Sequence, residues 1–341
     1  MSIQSVLTRR SAGYPSVAFT VLGCLLCVAA VIHLGLGART IAPRVVVDAL
    51  LHYDPHNFDH RIIVSLRLTR LLAALMTGAA LGRARLLIPA VIGTPLGEPH
   101  ILGLNAGATL AVVACSAAGI SFGEWGVSRP LTAAGGAALL FGLVMLLAST
   151  GRAGATAMKI TLCGVALSAF ASAVTASILI LDEQTLQAMR TWLAGDLAGV
   201  SLSTLQIASI PALAGVLLAA LISPRLNILA LGDRVASGLG VAVTRTRVLG
   251  VIAIALLCGA SVSIAGPIGF IGLVVPHAIR RWAGQDIRIG LLLALPTGAL
   301  LLLLADILAR WLLAPQELAT GVITAMVGAP VFIAIAVRFF N

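Results

Sequence analysis

Residues 248–265 are VLGVIAIALLCGASVSIA, a continuous run without one charged side chain. A bilayer core about 30 Å thick takes roughly 20 apolar residues of α-helix. This stretch is therefore predicted to cross a membrane. Nine further apolar runs accompany it, at residues 17–36, 68–92, 101–119, 130–149, 160–181, 203–222, 267–281, 289–309 and 321–338.

The composition of the chain indicates lipid as its main solvent. Of its 341 residues, 60% are hydrophobic and 10% charged, whereas soluble domains have about 25% charged residues. Strict alternation of polar and apolar residues is absent, so helices are the remaining way to satisfy the backbone in lipid. We predict an all-α polytopic membrane protein, one transmembrane domain over residues 1–341 with about ten helices. The first run follows Arg9 and Arg10 but lacks a clear cleavage site, so we expect it to be retained.

The net charge of +10 would suggest nucleic acid in a soluble protein, but here the charges lie between the spans. Most basic residues, including Arg234, Arg245 and Arg247, fall on the side of the amino terminus, where acidic residues are few. The positive-inside rule then places both termini in the cytoplasm. No Walker A sequence occurs, so any ATP hydrolysis must come from a partner and the chain is not expected to be an enzyme.

The cytoplasmic connection at residues 223–247 contains a predicted short helix. Pro224 is expected to stop the preceding helix, Asp233 to cap the next one and Gly240 to end it. A capped polar helix between two spans favours a docking surface over an ordinary loop. Residues 266–277 (GPIGFIGLVVPH) are expected to form a close-packed hairpin of short helices, with His277 in a polar interface.

Glycines and prolines recur in two places, which suggests an internal repeat. GAAL at 78–81 and GASV at 259–262 are each followed by a proline 17 residues after the leading glycine. The two segments would run in opposite directions, as in the inverted repeats of transporters. A chance match between Gly/Ala-rich helices is the alternative.

Several outer residues have two interpretations each. Three arginines lie at the ends of predicted spans: Arg67 and Arg70 at the start of the second, and Arg310 after the ninth. They either snorkel to headgroups or dock an acidic partner. His52, His56 and His60 recur every four residues and would meet a metal or haem iron on a helix, but Pro55 favours a solvated loop. The cysteines are interpreted as small apolar packing residues. The alternative is that Cys24 and Cys27, one turn apart on a helix, ligate a metal.

Several motifs resemble the FecCD permease family of ABC importers for iron chelates, haem and vitamin B12. They are LRLTRLL at 66–72, PLGEPHILGLNAGA at 95–108, GVALS at 164–168, LGDRVASGLG at 231–240, residues 266–280, LADILAR at 304–310 and residues 317–330. The likeness runs from about residue 60 to 338 and implies ten helices. It also implies a homodimer with a central path, two cytoplasmic ATPase subunits and a periplasmic binding protein.

The resemblance also implies roles for individual residues. Arg67, Arg70 and Arg310 would pair with acidic residues of the binding protein. The ATPase would contact the loop at 231–240, with Gly232, Asp233, Arg234, Ala236, Leu239 and Gly240. The gate and path would be formed by Thr94, Leu96, Thr156, Gly164 and Ser168.

The segment from Arg83 to Thr94 departs from the family pattern. It places Arg83 and Arg85 within a span, where each costs about 2.5–3.5 kcal/mol near the bilayer centre, and Pro89 would kink the helix. Either the sequence contains a local error or the arginines face a wet cavity, and resequencing the gene distinguishes these hypotheses.

Two other classes compete with an importer permease. A secondary transporter should have a carboxylate in mid-span, and a membrane enzyme should have a His/Asp/Glu cluster at one face; neither pattern stands out. For the substrate, EPH at 98–100 and the outer histidines favour haem, with a ferric siderophore and cobalamin as alternatives. No permanently bound cofactor or metal is expected.

Overall fold

The computed structural model describes residues 15–37, 40–92, 103–120, 129–150, 157–284, 286–314 and 316–340. Within these ranges all regular secondary structure is helical. The helices are α1 (Pro15–Gly35), α2 (Pro43–Leu51), α3 (Phe58–Ile62), α4 (Leu68–Ile92), α5 (Leu104–Ala117), α6 (Arg129–Ser149), α7 (Ala157–Leu181), α8 (Glu183–Leu193), α9 (Leu202–Leu229), α10 (Asp233–Gly238), α11 (Val243–Ala265), α12 (Ile271–Ala283), α13 (Ile287–Trp311) and α14 (Thr320–Phe340).

Each predicted apolar run coincides with a helix: α1, α4 to α7, α9 and α11 to α14. In the described part of the chain, seven helical segments are long and apolar enough to cross a bilayer, and α3 continues through a π-helical turn into α4 as one of them. The helix α5 and residues 320–331 of α14 are shorter apolar helices. The helix α12 has 13 residues and is therefore about 20 Å long. The all-α architecture is confirmed.

Polar contacts show which helix ends lie together. Arg70 at the beginning of α4 contacts Asp306 near the end of α13, and we call this end of the bundle the α8 face. At the opposite end, Arg247 near the beginning of α11 contacts Asp233 of α10 and the carbonyl of Val91 near the end of α4. We call that end the α10 face.

The helix α4 lies at the centre of the bundle, packed against α9, α11, α12 and α13. Its closest approach is to α13, where a Cβ built on Gly298 would lie 2.1 Å from the carbonyl oxygen of Gly78. One turn further along, a Cβ on Gly82 would lie 2.7 Å from the carbonyl oxygen of Ala294. Small residues therefore bring the two backbones together, which is how membrane helices gain packing energy without a hydrophobic driving force.

The two segments of the suggested repeat occupy comparable positions. Gly78 on α4 faces Gly298 of α13, and Gly259 on α11 faces Ala134 of α6, whose Cα would lie 2.4 Å from an added Cβ. The helix α4 runs from the α8 face to the α10 face, and α11 runs the opposite way. This geometry fits an inverted repeat, which stays a prediction.

The hairpin of short helices expected at residues 266–277 is not formed. The helix α11 ends at Ala265, residues 266–270 are irregular, and α12 begins at Ile271. Gly266 has a φ of 70°, and a Cβ there would lie 1.8 Å from the carbonyl oxygen of Trp192 in α8. The chain turns at Gly266 because only glycine permits this conformation against that carbonyl, and α12 follows as one continuous helix.

Two expectations for residues 223–247 are wrong in detail. Pro224 does not stop α9, which continues to Leu229. Proline removes the N–H that would bond the carbonyl of Ala220, and the Ser223 hydroxyl donates to that carbonyl instead, at 2.8 Å. The N-cap of α10 is Gly232 rather than Asp233, and the Asp233 carboxylate pairs with Arg247 instead of capping the helix.

Candidate functional site

A buried carboxylate at the α8 face joins four helices. Asp306 of α13 has no exposed surface and accepts two hydrogen bonds from Arg70 of α4, at 2.9 and 3.0 Å. The Nε2 of His33 in α1 donates at 2.8 Å and the hydroxyl of Thr320 in α14 at 2.7 Å. The guanidinium of Arg310 lies 3.4 Å away. Asp306 is thus the common acceptor of the ends of α1, α4, α13 and α14.

Two arginines donate hydrogen bonds to the carbonyls at the end of α1. Arg310 donates to the carbonyls of His33 and Leu36, both at 2.9 Å, and Arg67 donates to the carbonyl of Leu34 at 2.7 Å. The last carbonyls of a helix lack intrahelical donors and carry a partial negative charge. The two guanidiniums therefore cap α1 and fix its position against α4 and α13.

Arg67, Arg70 and Arg310 also line one cleft at the α8 face. Its volume is about 350 Å³, and Leu197, Ala198, Gly199, Val200 and Glu317 form part of its wall. Arg70 additionally pairs with Glu317. The side chains of Arg70 and Arg310 are only 12% and 3% exposed, so they do not extend to lipid headgroups. Their docking role stays a prediction, and the cleft is where it would operate.

Sequence reasoning recognised the arginines but missed His33 and Thr320. His33 looks like an ordinary polar residue in the last turn of an apolar helix. The only available signal was that it ends its span at the same predicted depth as Arg70 and Asp306. Glu317 and Thr320 were included in a motif, but without a role.

At the α10 face, a short helix presents an apolar edge. Ala236 of α10 is buried, whereas Leu231, Val235 and Leu239 are 66%, 47% and 62% exposed. Gly232 and Gly240 have φ values of 104° and 78° and reverse the chain on either side of α10. Arg247 fixes the helix by contacting Asp233 and the carbonyl of Val91, at 2.9 and 3.1 Å. The exposed residue Arg234 lies on the same helix.

A second link at the α10 face joins α9 to α13. The Nδ2 of Asn227 donates to Asp286 at 2.7 Å, and its Oδ1 accepts the backbone N–H of Ile287 at 2.8 Å. The Asn227 hydrogen bond holds the pKa of the Asp286 carboxyl below its usual value, with further help from the backbone N–H of Arg288. The carboxylate of Asp286 is thereby committed to the beginning of α13.

The predicted gate and path residues are only partly described. Thr94, Leu96 and Thr156 lie outside the described residues. Gly164 is buried on α7 and Ser168 is half-buried, with its hydroxyl donating to the Gly164 carbonyl at 2.6 Å. Most of α7 is exposed.

Two of the outer histidines, His52 and His60, lie beside the Asp48 carboxylate. His60 is 3% exposed, accepts the backbone N–H of Asp54 and lies 3.6 Å from Asp48, whereas His52 is exposed beside the same carboxylate. His56 is exposed in the turn between α2 and α3. The described residues contain no group of three or more His, Cys, Asp or Glu side chains placed to hold a metal. All five cysteines are free.

A bundle of apolar helices, with a charged cleft at one face and an exposed short helix at the other, is the architecture of a polytopic membrane protein. Residues 25–338 match the model of the FecCD transport family, and the chain belongs to that family. The resemblance inferred from the motifs is thereby confirmed.

Curated relatives cover most of the chain. The iron(3+)-hydroxamate import system permease protein FhuB of Bacillus subtilis (strain 168) is 36% identical over 315 residues, or 92% of this chain and 81% of the relative. The ferric enterobactin transport system permease protein FepD of Escherichia coli (strain K12) is 38% identical over 312 residues, 91% of both chains. A solved metal-chelate type ABC transporter in an inward-facing conformation matches with a TM-score of 0.78 and 28% identity, covering 95% of this chain and all of that one.

Proposed function

We propose that the chain is the permease subunit of a binding-protein-dependent ABC importer that carries a ferric chelate across a bacterial inner membrane by alternating access. Membership of the FecCD family and two relatives named as iron-chelate permeases support the proposal. The observation that carries it is the arginine-lined cleft at the α8 face, which offers guanidiniums to an acidic partner. The chain itself hydrolyses no ATP and depends on two cytoplasmic ATPase subunits.

In this proposal the α8 face is periplasmic and the α10 face cytoplasmic, with both termini in the cytoplasm. The argument is the distribution of charge: Arg234, Arg245 and Arg247 cluster at the α10 face, while Asp48, Asp54 and other acidic residues gather at the α8 face. The positive-inside rule favours this orientation.

Acidic residues of the binding protein would dock at Arg67, Arg70 and Arg310. Arg70 and Arg310 are already engaged by Asp306, so an incoming carboxylate would share them with it. Guanidinium–carboxylate pairs are short, directional and frequently bidentate, which suits a partner that must dock in one orientation.

The ATPase would bind at the α10 face through Gly232, Asp233, Arg234, Leu239 and Gly240, while the buried Ala236 packs α10 onto the bundle. The apolar edge of Leu231, Val235 and Leu239 supports this role, because exposed apolar residues at a water-facing surface favour contact with another protein. A second copy of the chain would pack so that α7 and α14 line a central path, with Gly164 and Ser168 on α7. Thr94, Leu96 and Thr156 would form the inner gate.

Among ferric chelates we propose a siderophore rather than haem. The names of the two relatives support this choice. The outer histidines give haem little support, because His60 is buried and the described residues contain no group of three or more His, Cys, Asp or Glu side chains placed to hold a metal. Haem and cobalamin are the alternatives that the transport assay must compare.

The test is ATP-dependent uptake in proteoliposomes that contain the permease, its ATPase and its binding protein. We expect uptake of labelled ferric siderophore but not of haem or cobalamin. Arg67→Glu should lower uptake about tenfold or more, because it reverses one charge of the cleft. Arg61→Glu is the matched control, since Arg61 is exposed and lies outside the cleft. Equal uptake by both variants, with equal amounts of folded protein, would refute the docking role.

A further inference from the structure

Arg83 is a buried cation within the span of α4. It is 6% exposed, and its guanidinium donates to the carbonyls of Leu291 in α13 and Val216 in α9, at 3.0 and 3.2 Å. Among the residues that the structure describes, no acidic side chain pairs with it. The two carbonyls satisfy hydrogen bonds but leave the charge uncompensated, and an unpaired charge at this depth is costly.

Arg83 lines a cavity that contains a second cation. The cavity has a volume of about 350 Å³ and is formed by Arg83, Ala220, Ser223, Pro224, Arg288, Leu291 and Leu292. This lining has no carboxylate. The nearest in sequence, Asp286, is committed to Asn227 and to the backbone of α13. The cavity is therefore a positively charged pocket of a size that small ligands occupy.

The position of the cavity indicates an amphipathic occupant. Arg288 is exposed in the first turn of α13, at the α10 face, whereas Arg83 donates to the carbonyl of Leu291, three residues or about 4.5 Å further along α13. Leu292 of the cavity wall is 51% exposed. Leu217 and Leu221, at helical spacing from the lining residues Ala220 and Pro224 of α9, are 54% and 75% exposed. Apolar side chains exposed along spans face lipid, so the pocket joins a polar headgroup level to an acyl-chain level.

We propose that this cavity, between α4, α9 and α13, binds the phosphate of an anionic glycerophospholipid from the leaflet at the α10 face. Arg288 attracts the headgroup at the membrane surface, and the phosphate neutralises the buried charge of Arg83. Guanidinium is suited to this ligand because its fork of donors matches phosphate oxygens. The acyl chains lie along Leu217, Leu221 and Leu292. A dissolved anion would gain only the charged contacts.

The test is native mass spectrometry of the detergent-purified full chain titrated with phosphatidylglycerol, phosphatidylethanolamine or inorganic phosphate. We expect one phosphatidylglycerol to bind more tightly than phosphatidylethanolamine, and inorganic phosphate not to displace it. Arg288→Gln should weaken binding about tenfold, the loss of one charge-assisted hydrogen bond, and Arg83→Gln at least as much. Arg225→Gln, an exposed arginine of α9 outside the cavity, should leave binding unchanged.

Arg288→Gln carries the test even if Arg83→Gln fails to fold, because Arg288 is exposed. Three results would overturn the proposal. Equal affinity of Arg288→Gln and Arg225→Gln would show that the cavity is not the site. Equal affinity for both lipids would indicate ordinary annular lipid. Displacement by inorganic phosphate would identify a soluble anion as the occupant.

Discussion

Asp306 has no exposed surface, yet it accepts hydrogen bonds from three other helices. A buried carboxylate is tolerated only when surrounding donors replace its water. Here the donors are a guanidinium, an imidazole and a hydroxyl, and each comes from a different helix. The carboxylate therefore fixes the end of α1 and the beginnings of α4 and α14 against α13.

Asp306→Asn should lower the free energy of unfolding by about 3–5 kcal/mol, the range for breaking a buried ion pair by removing one partner. An amide removes the buried counter-charge of Arg310 and leaves Arg70 with the more exposed Glu317, and it turns an N–H towards their donors. Thermal unfolding of the detergent-solubilised protein measures the loss.

The control is Asp48→Asn, because the Asp48 side chain is 59% exposed and exposed pairs contribute about 0–1 kcal/mol. Similar unfolding temperatures for the two variants would contradict the central role of Asp306.

At the level of single residues, sequence reasoning identified the charged groups but not their pairing. Arg70 and Asp306 are 236 positions apart, and His33 and Asp306 are 273 apart. No local sequence pattern indicates a contact between residues so far apart in the chain. The arginines were interpreted as facing a partner or headgroups, because the sequence does not reveal that α1 ends beside them.

At the level of helices, the crossing of α4 and α13 depends on glycine. Gly298→Ala should destabilise the protein by about 1–3 kcal/mol, as overpacking generally does. The added Cβ would meet the backbone of Gly78, which cannot rotate away as a side chain would. The measurement is again thermal unfolding in detergent.

Gly142→Ala is the matched control within α6, since nothing lies within 4 Å of a Cβ built there. Alanine has the higher helix propensity, so this variant should be unchanged or slightly more stable. Equal destabilisation of both variants would mean that the close crossing of α4 and α13 does not explain the loss at Gly298.

The spans were predictable because each is a long apolar run. In lipid a run of that length must hydrogen-bond its own backbone, and only a helix does so. The helices α2 and α8 were not predicted, since they are short and lie in polar connections. The helix α8 has 11 residues and is capped by Asp182. The end of α9 was misplaced because a proline usually ends a helix, and the rescue by Ser223 requires a side-chain rotamer that the sequence does not specify.

At the level of the whole molecule, the two faces are expected to meet different proteins. Leu239→Glu should reduce co-purification of the ATPase subunit about tenfold, because it places a charge on the apolar edge of α10. Leu51→Glu is the control, since Leu51 is 71% exposed on α2 at the opposite face. A pull-down with tagged permease measures both variants. Loss of the ATPase from Leu51→Glu, or its retention by Leu239→Glu, would contradict the assignment of the α10 face.

Arg70 divides its donors between Asp306 and Glu317, and this sharing has a thermodynamic consequence. An anion that enters the cleft competes with those carboxylates, so its binding and the joining of the four helix ends are linked equilibria. Linkage is reciprocal. If a bound anion weakens the pairing of Arg70 with Asp306 by some factor, then breaking that pair strengthens anion binding by the same factor. The cleft would hold a partner most tightly in the conformation where the helix ends are least tightly joined.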